Sequence, residues 1–300
     1  MDRTQYKCCR RGANLRRKRR RHRKIRSSVI FSCSIIAVAV FVIVGSRIIT
    51  SGDGGTNKYD VEAGNNTYDN ADIENTKISE KNKIQNNQSM RDDIMNSTQY
   101  PKQLQELALK NEEALEFVYD YPTEHVKEHI VDLTEEASMD SVPLFVQWDK
   151  RWGYEKYSGN FFAASGCGPT TLSMVVVYLT HNRDASPLAV AKYSKEAGYS
   201  VDGSGSSWTL ISEGCRHYGV KAKTVSLDES RMKAELDAGH PIVVNVGPGD
   251  FTDTGHFMVI TGYDDEGFSI NDPNSIEKSG KRWLFKNISS QIRAVWSMYV

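Results

Sequence analysis

The stretch SGCGPTTLSM (residues 165–174) sets a single cysteine, Cys167, between two glycines and ahead of a proline and an apolar run. Pro169 predicts a helix from Gly168 to about Thr180, because a proline in the first helical turn lacks only an N–H that would have no partner there. A thiol at a helix N-terminus has a lowered pKa and attacks as the thiolate. The flanking glycines would leave room for a substrate backbone. Cys167 is a candidate nucleophile, and the alternative is a small buried apolar residue.

A thiolate nucleophile needs a general base, and the base needs an acceptor that orients it. His256 and Asp272 are candidates for these two roles, in the segment GHFMVITGYDDEGFSINDP, which predicts two antiparallel strands. A five-residue turn over residues 263–267 would pair Met258 with Asp272 and place Asp272 on the same sheet face as His256. A four-residue turn would place it on the opposite face, because side chains alternate along a strand.

The tetrahedral intermediate of an acyl transfer carries an oxyanion that needs preorganised donors. One candidate donor is the backbone N–H of Cys167, and another is the side-chain amide of Gln147, twenty residues upstream.

These four residues lie in short motifs that resemble a known family. Gln147 in VPLFVQWDKRWG, Cys167 in GCGPTTLSM, His256 in GHFMVITGY and Asp272 in NDP are similar to the C39-like cysteine peptidases of bacteria. These are papain-fold relatives of the double-glycine leader peptidases. The resemblance covers residues 142–300 and implies peptide-bond hydrolysis by an active-site cysteine, a histidine base, an orienting aspartate and an oxyanion glutamine.

The elements around the motifs indicate the fold class. Helical spacing predicts two further helices in SPLAVAKYSKEAG and SWTLISEGCRHYG, and alternating apolar residues then predict strands in KAKTVS, PIVVNVG, HFMVITGY, GFSINDP and RAVWSMYV. Helices followed by antiparallel strands indicate an α+β fold. With the resemblance, we predict a papain-like cysteine peptidase fold, in which the nucleophile helix packs on an antiparallel sheet, preceded by a single transmembrane helix.

The transmembrane prediction rests on the first fifty residues. Thirteen of the 38 Lys and Arg residues lie in residues 1–26, within a basic tail over residues 1–27. Residues 28–46 carry no charge, and as a helix they would span roughly 28 Å. We therefore expect an anchor over residues 28–49, with a cytoplasmic N-terminus and an extracytoplasmic catalytic domain in a bacterial cell membrane. The alternative is a cleaved signal peptide, against which stand the long basic leader and the missing A-x-A site.

Composition divides the rest of the chain. Residues 50–99 are rich in Asn and poor in aromatics, which predicts a flexible linker. Residues 100–141 predict a helix that starts at Pro101 and ends before Pro122, and then an acidic connector. The catalytic domain is expected over residues 142–300.

Partners and cofactors follow from these assignments. We expect a peptide or protein substrate outside the cytoplasm, membrane lipid at the anchor and basic tail, no nucleic acid, and no metal or organic cofactor. The sequence HVKEH (His125 to His129) matches an inverted zinc-protease pattern, but it lies in a short acidic connector, so we do not expect a zinc site. Cys215 is expected to be a structural thiol with no disulfide to Cys167.

Two other functions fit the same residues. An acyl-transfer enzyme of the same fold, such as a transglutaminase or a cell-wall amidase, would use the same order of Cys, His and Asp, although the D-C-S-G motif usual in wall amidases is absent. A peptide-binding module without activity is the second, because a sequence does not show that the four residues meet in space.

Overall fold

A group of helices precedes the predicted catalytic domain. The computed structural model describes residues 67–300, with side chains from Ser79 onward. The first five α-helices are α1 (Thr67–Asn96), α2 (Lys102–Lys110), α3 (Leu115–Tyr119), α4 (Tyr121–Glu124) and α5 (Thr134–Ser138).

Helix α1 lies within the segment that was predicted to be a flexible linker. Its sequence is polar, but its last turns bring Ile94 into an apolar cluster with Leu104 and Leu107 of α2, where Ile94 is fully buried. Tertiary packing of this end therefore orders residues that composition alone does not favour.

The helix predicted from Pro101 to Pro122 is interrupted at Asn111. This residue has an extended backbone conformation, and its side-chain oxygen accepts from the N–H of Glu113, which starts a 3₁₀ turn over Glu112–Ala114. Asn is a favoured N-cap because its side chain competes for nearby backbone N–H groups. Pro122 lies in the first turn of α4, where a proline is tolerated.

The transmembrane part of the predicted fold class is corrected by the structure. No helix within residues 67–300 is long and apolar enough to cross a membrane. The predicted anchor, residues 28–49, lies outside the described residues. The fold class is therefore restated for residues 67–300 alone, without a transmembrane helix.

The helical half of the domain follows the N-terminal helices. Its elements are β1 (Lys156–Tyr157), β2 (Asn160–Phe161), α6 (Phe162–Ser165), α7 (Cys167–Thr180), α8 (Pro187–Glu196), β3 (Ser200–Val201), β4 (Gly205–Ser206) and α9 (Thr209–Ser212). A 3₁₀ turn over Gly214–Tyr218 follows. The three helices predicted here are present, with the third divided between α9 and this turn.

The sheet half contains β5 (Lys221–Thr224), α10 (Glu229–Asp237), β6 (Ile242–Val246), β7 (His256–Asp264), β8 (Gly267–Asn271), α11 (Ile276–Ser279), β9 (Arg282–Trp283), α12 (Phe285–Ile288) and β10 (Ile292–Tyr299). Six strands form one antiparallel sheet in the order β5-β10-β6-β7-β8-β9. The predicted α+β arrangement of helices followed by antiparallel strands is therefore present, while α10, α11, α12 and β9 were not predicted.

Both faces of this sheet are covered. Phe257 and Val259 of β7 join the cluster that contains the apolar residues of α7, whereas Met258 and Ile260 join a second cluster with Met232 of α10. This division follows the two-residue period of side chains along a strand. Because β7 and β8 are antiparallel, the start of β7 and the end of β8 lie beside each other at the same end of the sheet.

Candidate active site

Cys167 is the first residue of α7, as predicted within one residue. The two flanking glycines have a structural cause that differs from the expected one. A Cβ at Gly166 would lie 2.5 Å from the Phe162 ring, and one at Gly168 would lie 2.5 Å from Ser206 Oγ. The space beside Cys167 is filled by the protein itself, so the glycines allow close packing around the thiol and do not make room for a substrate backbone.

His256 and Asp272 lie at the end of the sheet where β7 begins and β8 ends. His256 Nε2 donates to Asp272 Oδ1 at 2.7 Å. The His256 side chain is 7% exposed and that of Asp272 is fully buried, which protects this interaction from solvent screening. Asp272 Oδ1 also accepts the backbone N–H of Asn274 at 2.8 Å, whereas Oδ2 is buried without a partner among the described residues.

The pairing of β7 with β8 beside these residues has the predicted register, but its turn is shorter than predicted and one strand contains a bulge. The turn contains two residues, because Asp264 pairs with Gly267. Continued regularly, this register would turn Asp272 to the face away from His256. A bulge at Thr261, between Ile260 and Gly262, adds one residue, so that Val259 pairs with Asn271. The predicted turn length is wrong, but the bulge restores the predicted register beside the site.

Cys167 and His256 form a coupled pair. The Cys167 thiol is partly exposed and lies near enough to the His256 ring for each group to shift the pKa of the other. Burial raises the pKa of the Cys167 thiol, but the hydrogen bond and charge of His256, with backbone N–H groups of Phe257 and Gly168, outweigh it and lower this pKa. Desolvation lowers the pKa of His256, but the charge and hydrogen bond of Asp272, helped by Cys167, raise it to about 10. Both shifts favour the thiolate–imidazolium form of the pair over the neutral form.

Gln147 is buried beside these residues, 5% exposed. Its Nε2 donates to the carbonyl of Ala163 at 2.7 Å, and its backbone N–H donates to the carbonyl of Pro273 at 2.7 Å. The first contact occupies one of the two side-chain N–H groups of Gln147.

Three of the four predicted site residues, Gln147, Cys167 and His256, line a cleft of about 450 Å³. The cleft is also lined by the loop before β7, residues 249–255, and by residues of α2 together with Asn274 and Lys278. We call these two groups of residues the walls of the cleft. Asp272 lies behind the cleft surface, in contact with His256.

The structure adds residues that the sequence analysis missed. Asn274 and Ser279 both contact Asp272. The backbone N–H of Asn274 donates to Asp272 Oδ1, and the backbone N–H of Asp272 donates to Ser279 Oγ at 2.9 Å. In NDPNS the Asp272 side chain accepts the N–H two residues further along, as Asp commonly does in turns, so this pattern could have indicated Asn274 but not Ser279.

The other polar groups singled out in the sequence lie elsewhere. Cys215 is a free and fully buried thiol, and desolvation raises its pKa to about 11. The His125 and His129 rings contact the carbonyls of Tyr121 and Glu124. Within residues 67–300, no group of three His, Cys, Asp or Glu side chains is arranged to hold a metal ion.

Comparisons with known proteins agree with the resemblance in the sequence. Among solved structures, the chain is similar to a putative C39-like peptidase from Bacillus anthracis, with 16% identity, a TM-score of 0.34, and 53% of this chain and 95% of that chain covered. It is also similar to the peptidase domain of Streptococcus ComA, a bifunctional ABC transporter involved in a quorum sensing pathway, with 19% identity, a TM-score of 0.38, and coverage of 53% and 96%. No curated protein sequence matches the chain. A sequence model of the Peptidase C39-like family matches residues 139–300, more than half of the chain, and the chain therefore belongs to this family.

Proposed function

We propose that this protein is a cysteine peptidase that hydrolyses peptide bonds with Cys167 as nucleophile, His256 as general base and acid, and Asp272 as the residue that orients His256. The observation that carries the proposal is that Cys167 and His256 line one cleft, where the imidazole is hydrogen-bonded to the buried carboxylate of Asp272 and lowers the pKa of the thiol. A structural thiol needs no such partners.

The chemistry follows from the charges of the pair. The Cys167 thiolate adds to the scissile carbonyl, and the His256 imidazolium gives its proton to the leaving amine as the C–N bond breaks. Water then enters, His256 takes a proton from it, and the hydroxide adds to the thioester. The C–S bond breaks, which releases the acid and restores the thiolate–imidazolium pair. Asp272 keeps Nε2 of the ring protonated and directed toward itself, which leaves Nδ1 for the sulfur and the substrate.

The oxyanion needs donors on the same side of the sulfur. The backbone N–H of Cys167 has no partner within α7, because it belongs to the first turn. Gln147 Nε2 carries two protons, and Ala163 uses one of them. We assign the second proton to the oxyanion, with the Ala163 contact holding the amide in place.

The test uses the two described cysteines as a matched pair. Wild type, Cys167→Ala and Cys215→Ala are incubated with denatured protein and with a peptide library, and the products are measured by mass spectrometry. We expect cleavage with addition of water in wild type and in Cys215→Ala, and none in Cys167→Ala. Both variants remove one thiol, so a difference between them reports the role of Cys167.

The products also separate the alternatives. Release of ammonia with crosslinking would assign the site to a transglutaminase and contradict hydrolysis. Cleavage that persists in Cys167→Ala would remove Cys167 from the reaction. Binding of peptides without any change in their mass would identify a binding module.

A further inference from the structure

The helical segment in front of the family's domain forms part of the candidate active site. The family match begins at residue 139, yet one wall of the cleft comes from α2 and the residue after it. The wall residues from this segment are Gln103, Glu106, Leu107, Lys110 and Asn111. Asn111 Nδ2 also donates to the carbonyl of Asn274 at 2.9 Å.

Glu113, two residues further on, binds the loop that carries Asp272. Its Oε1 accepts the hydroxyl proton of Ser275, and its Oε2 accepts the backbone N–H groups of Ile276 and Glu277 at 2.7 and 3.1 Å. These N–H groups belong to the first turn of α11 and have no partner within the helix. Hydrogen bonds to an ionised carboxylate are about twice as strong as those between neutral groups.

The loop that Glu113 binds is closed around Asp272. Asp272 pairs with Ser275 in a backbone bridge, and its N–H donates to Ser279 Oγ at 2.9 Å. The Ser279 hydroxyl in turn lies 2.7 Å from the carbonyl of Ser275. A movement of the first turn of α11 therefore moves both the Ser275 backbone and the Ser279 hydroxyl, which contact Asp272.

The segment that carries Glu113 is itself fixed to the domain. Phe117 of α3 stacks on Tyr154 with ring centroids 4.2 Å apart, and it fills the space beside Gly153, where a Cβ would lie 2.7 Å from its ring. Tyr154 Oη donates to the carbonyl of Phe117 at 2.8 Å. Glu113 thus projects from a firmly packed element.

We propose that Glu113 is a positioning residue of the active site: by fixing the first turn of α11, it holds Asp272 in the orientation that His256 requires. The segment before the family's domain is then a working part of the enzyme. The consequence for turnover rests on the proposed peptidase function, whereas the consequence for the Cys167–His256 pair does not.

The test compares neighbouring glutamates in the full chain. Glu112 binds Asn87 and Arg91, within the helical segment, and provides the control. Wild type, Glu113→Ala, Glu113→Gln and Glu112→Ala are alkylated with iodoacetamide over a range of pH, with modification at Cys167 measured by mass spectrometry. The kcat and KM for a cleaved peptide are measured on the same samples.

We expect Glu113→Ala to move the midpoint of Cys167 alkylation upward by about one pH unit, because a displaced Asp272 leaves the imidazolium less stabilised. Its kcat should fall on the order of tenfold or more, with KM much less affected, as for other small misplacements of a catalytic group. Glu113→Gln should lie between wild type and Glu113→Ala, because its amide oxygen still accepts one N–H but lacks the charge. Glu112→Ala should match wild type.

Wild-type alkylation curves in both Glu113 variants would overturn the inference, as would equal shifts in Glu113→Ala and Glu112→Ala. If circular dichroism shows that Glu113→Ala is unfolded, Glu113→Gln decides on the same criteria. An alkylation shift in a protein whose wild type cleaves no peptide would support the positioning role and contradict the peptidase function, so the two failures are distinguishable.

Discussion

The regions around Cys167 and Cys215 place the same side chain in opposite chemical settings. Cys215 is fully buried in a 3₁₀ turn, and desolvation raises its pKa to about 11. Cys167 begins a 14-residue helix, is partly exposed, and has a lowered pKa. Desolvation acts on both thiols, and only Cys167 has a histidine that outweighs it.

This difference shows what lowers the pKa of a thiol that is largely desolvated. A helix N-terminus alone lowers a thiol pKa modestly, whereas a charged partner held close in a dry site acts strongly. The partner must also stay charged, and here Asp272 keeps the pKa of His256 high. Cys167 therefore depends on residues from β7, β8 and the loop after β8.

Removing the histidine should make Cys167 resemble Cys215, with the largest effect of the changes below. In His256→Ala we expect peptide hydrolysis to fall by roughly 10²–10⁴-fold, the usual contribution of a general acid–base residue. Alkylation of Cys167 at neutral pH should fall as well, because the thiolate loses its counter-charge. His217→Ala, two residues from Cys215, is the control and should leave both rates unchanged. Rapid alkylation of Cys167 at neutral pH in His256→Ala would contradict the ion pair.

Removing the glutamine should separate nucleophile reactivity from oxyanion stabilisation. Gln147→Ala should slow peptide hydrolysis on the order of a hundredfold, the scale of one lost oxyanion donor. It should not change iodoacetamide alkylation of Cys167, because that reaction forms no tetrahedral oxyanion. Gln103→Ala, in the wall of the same cleft, provides the control. Equal losses in both assays would show that Gln147 acts only by supporting the local structure.

Removing the charge of Asp272 should have a smaller effect on rate and a clear effect on pH dependence. In Asp272→Asn the amide oxygen can still accept from the imidazole, so we expect a loss of kcat/KM smaller than that in Gln147→Ala. The imidazolium is lost as pH rises through the pKa of His256, which is about 10 in wild type. Without the carboxylate, this alkaline limb should move to lower pH.

Asp264→Asn changes an exposed carboxylate at the far end of β7 and should leave the pH profile as in wild type. An unshifted alkaline limb in Asp272→Asn would show that Asp272 does not maintain the charge of His256.

The smallest effect is expected at Cys215 itself. Cys215→Ala removes a buried thiol from the core and should lower the free energy of unfolding by about 1 kcal/mol, the centre of the range for point substitutions. Turnover should be unchanged when measured well below the unfolding transition. A loss of turnover without a loss of stability would give Cys215 a role that this comparison excludes.

The candidates Cys167, His256 and Asp272 could be located from the sequence because each lies at or beside the end of an element with a local signal. Cys167 precedes a helix that its proline indicates, and His256 and Asp272 bound a hairpin with alternating apolar residues. The turn length was not predictable, because the bulge at Thr261 leaves the apolar alternation too short to show an inserted residue. Its consequence, the pairing of Val259 with Asn271, became visible only in the sheet.

Contacts between distant parts of the chain were beyond the sequence. Ser275 and Glu113 are 162 residues apart, and nothing in either local pattern predicts that they touch. The glycines around Cys167 were expected to leave room for a substrate backbone, but a ring and a hydroxyl from other elements fill this space. A single sequence shows which residues could take part in a reaction, but it does not show as easily which other residues hold them in position.

The most direct test of the central claim is the pH dependence of alkylation at the two cysteines in one folded wild-type sample. Iodoacetamide is added in short pulses from acid to alkaline pH, and the peptides that contain Cys167 and Cys215 are measured by mass spectrometry. The account predicts that Cys167 reacts with a midpoint below the ordinary thiol value of 9.0, while Cys215 stays unmodified until the protein unfolds. Modification of Cys215 before Cys167, or a Cys167 midpoint at or above 9.0, would contradict it.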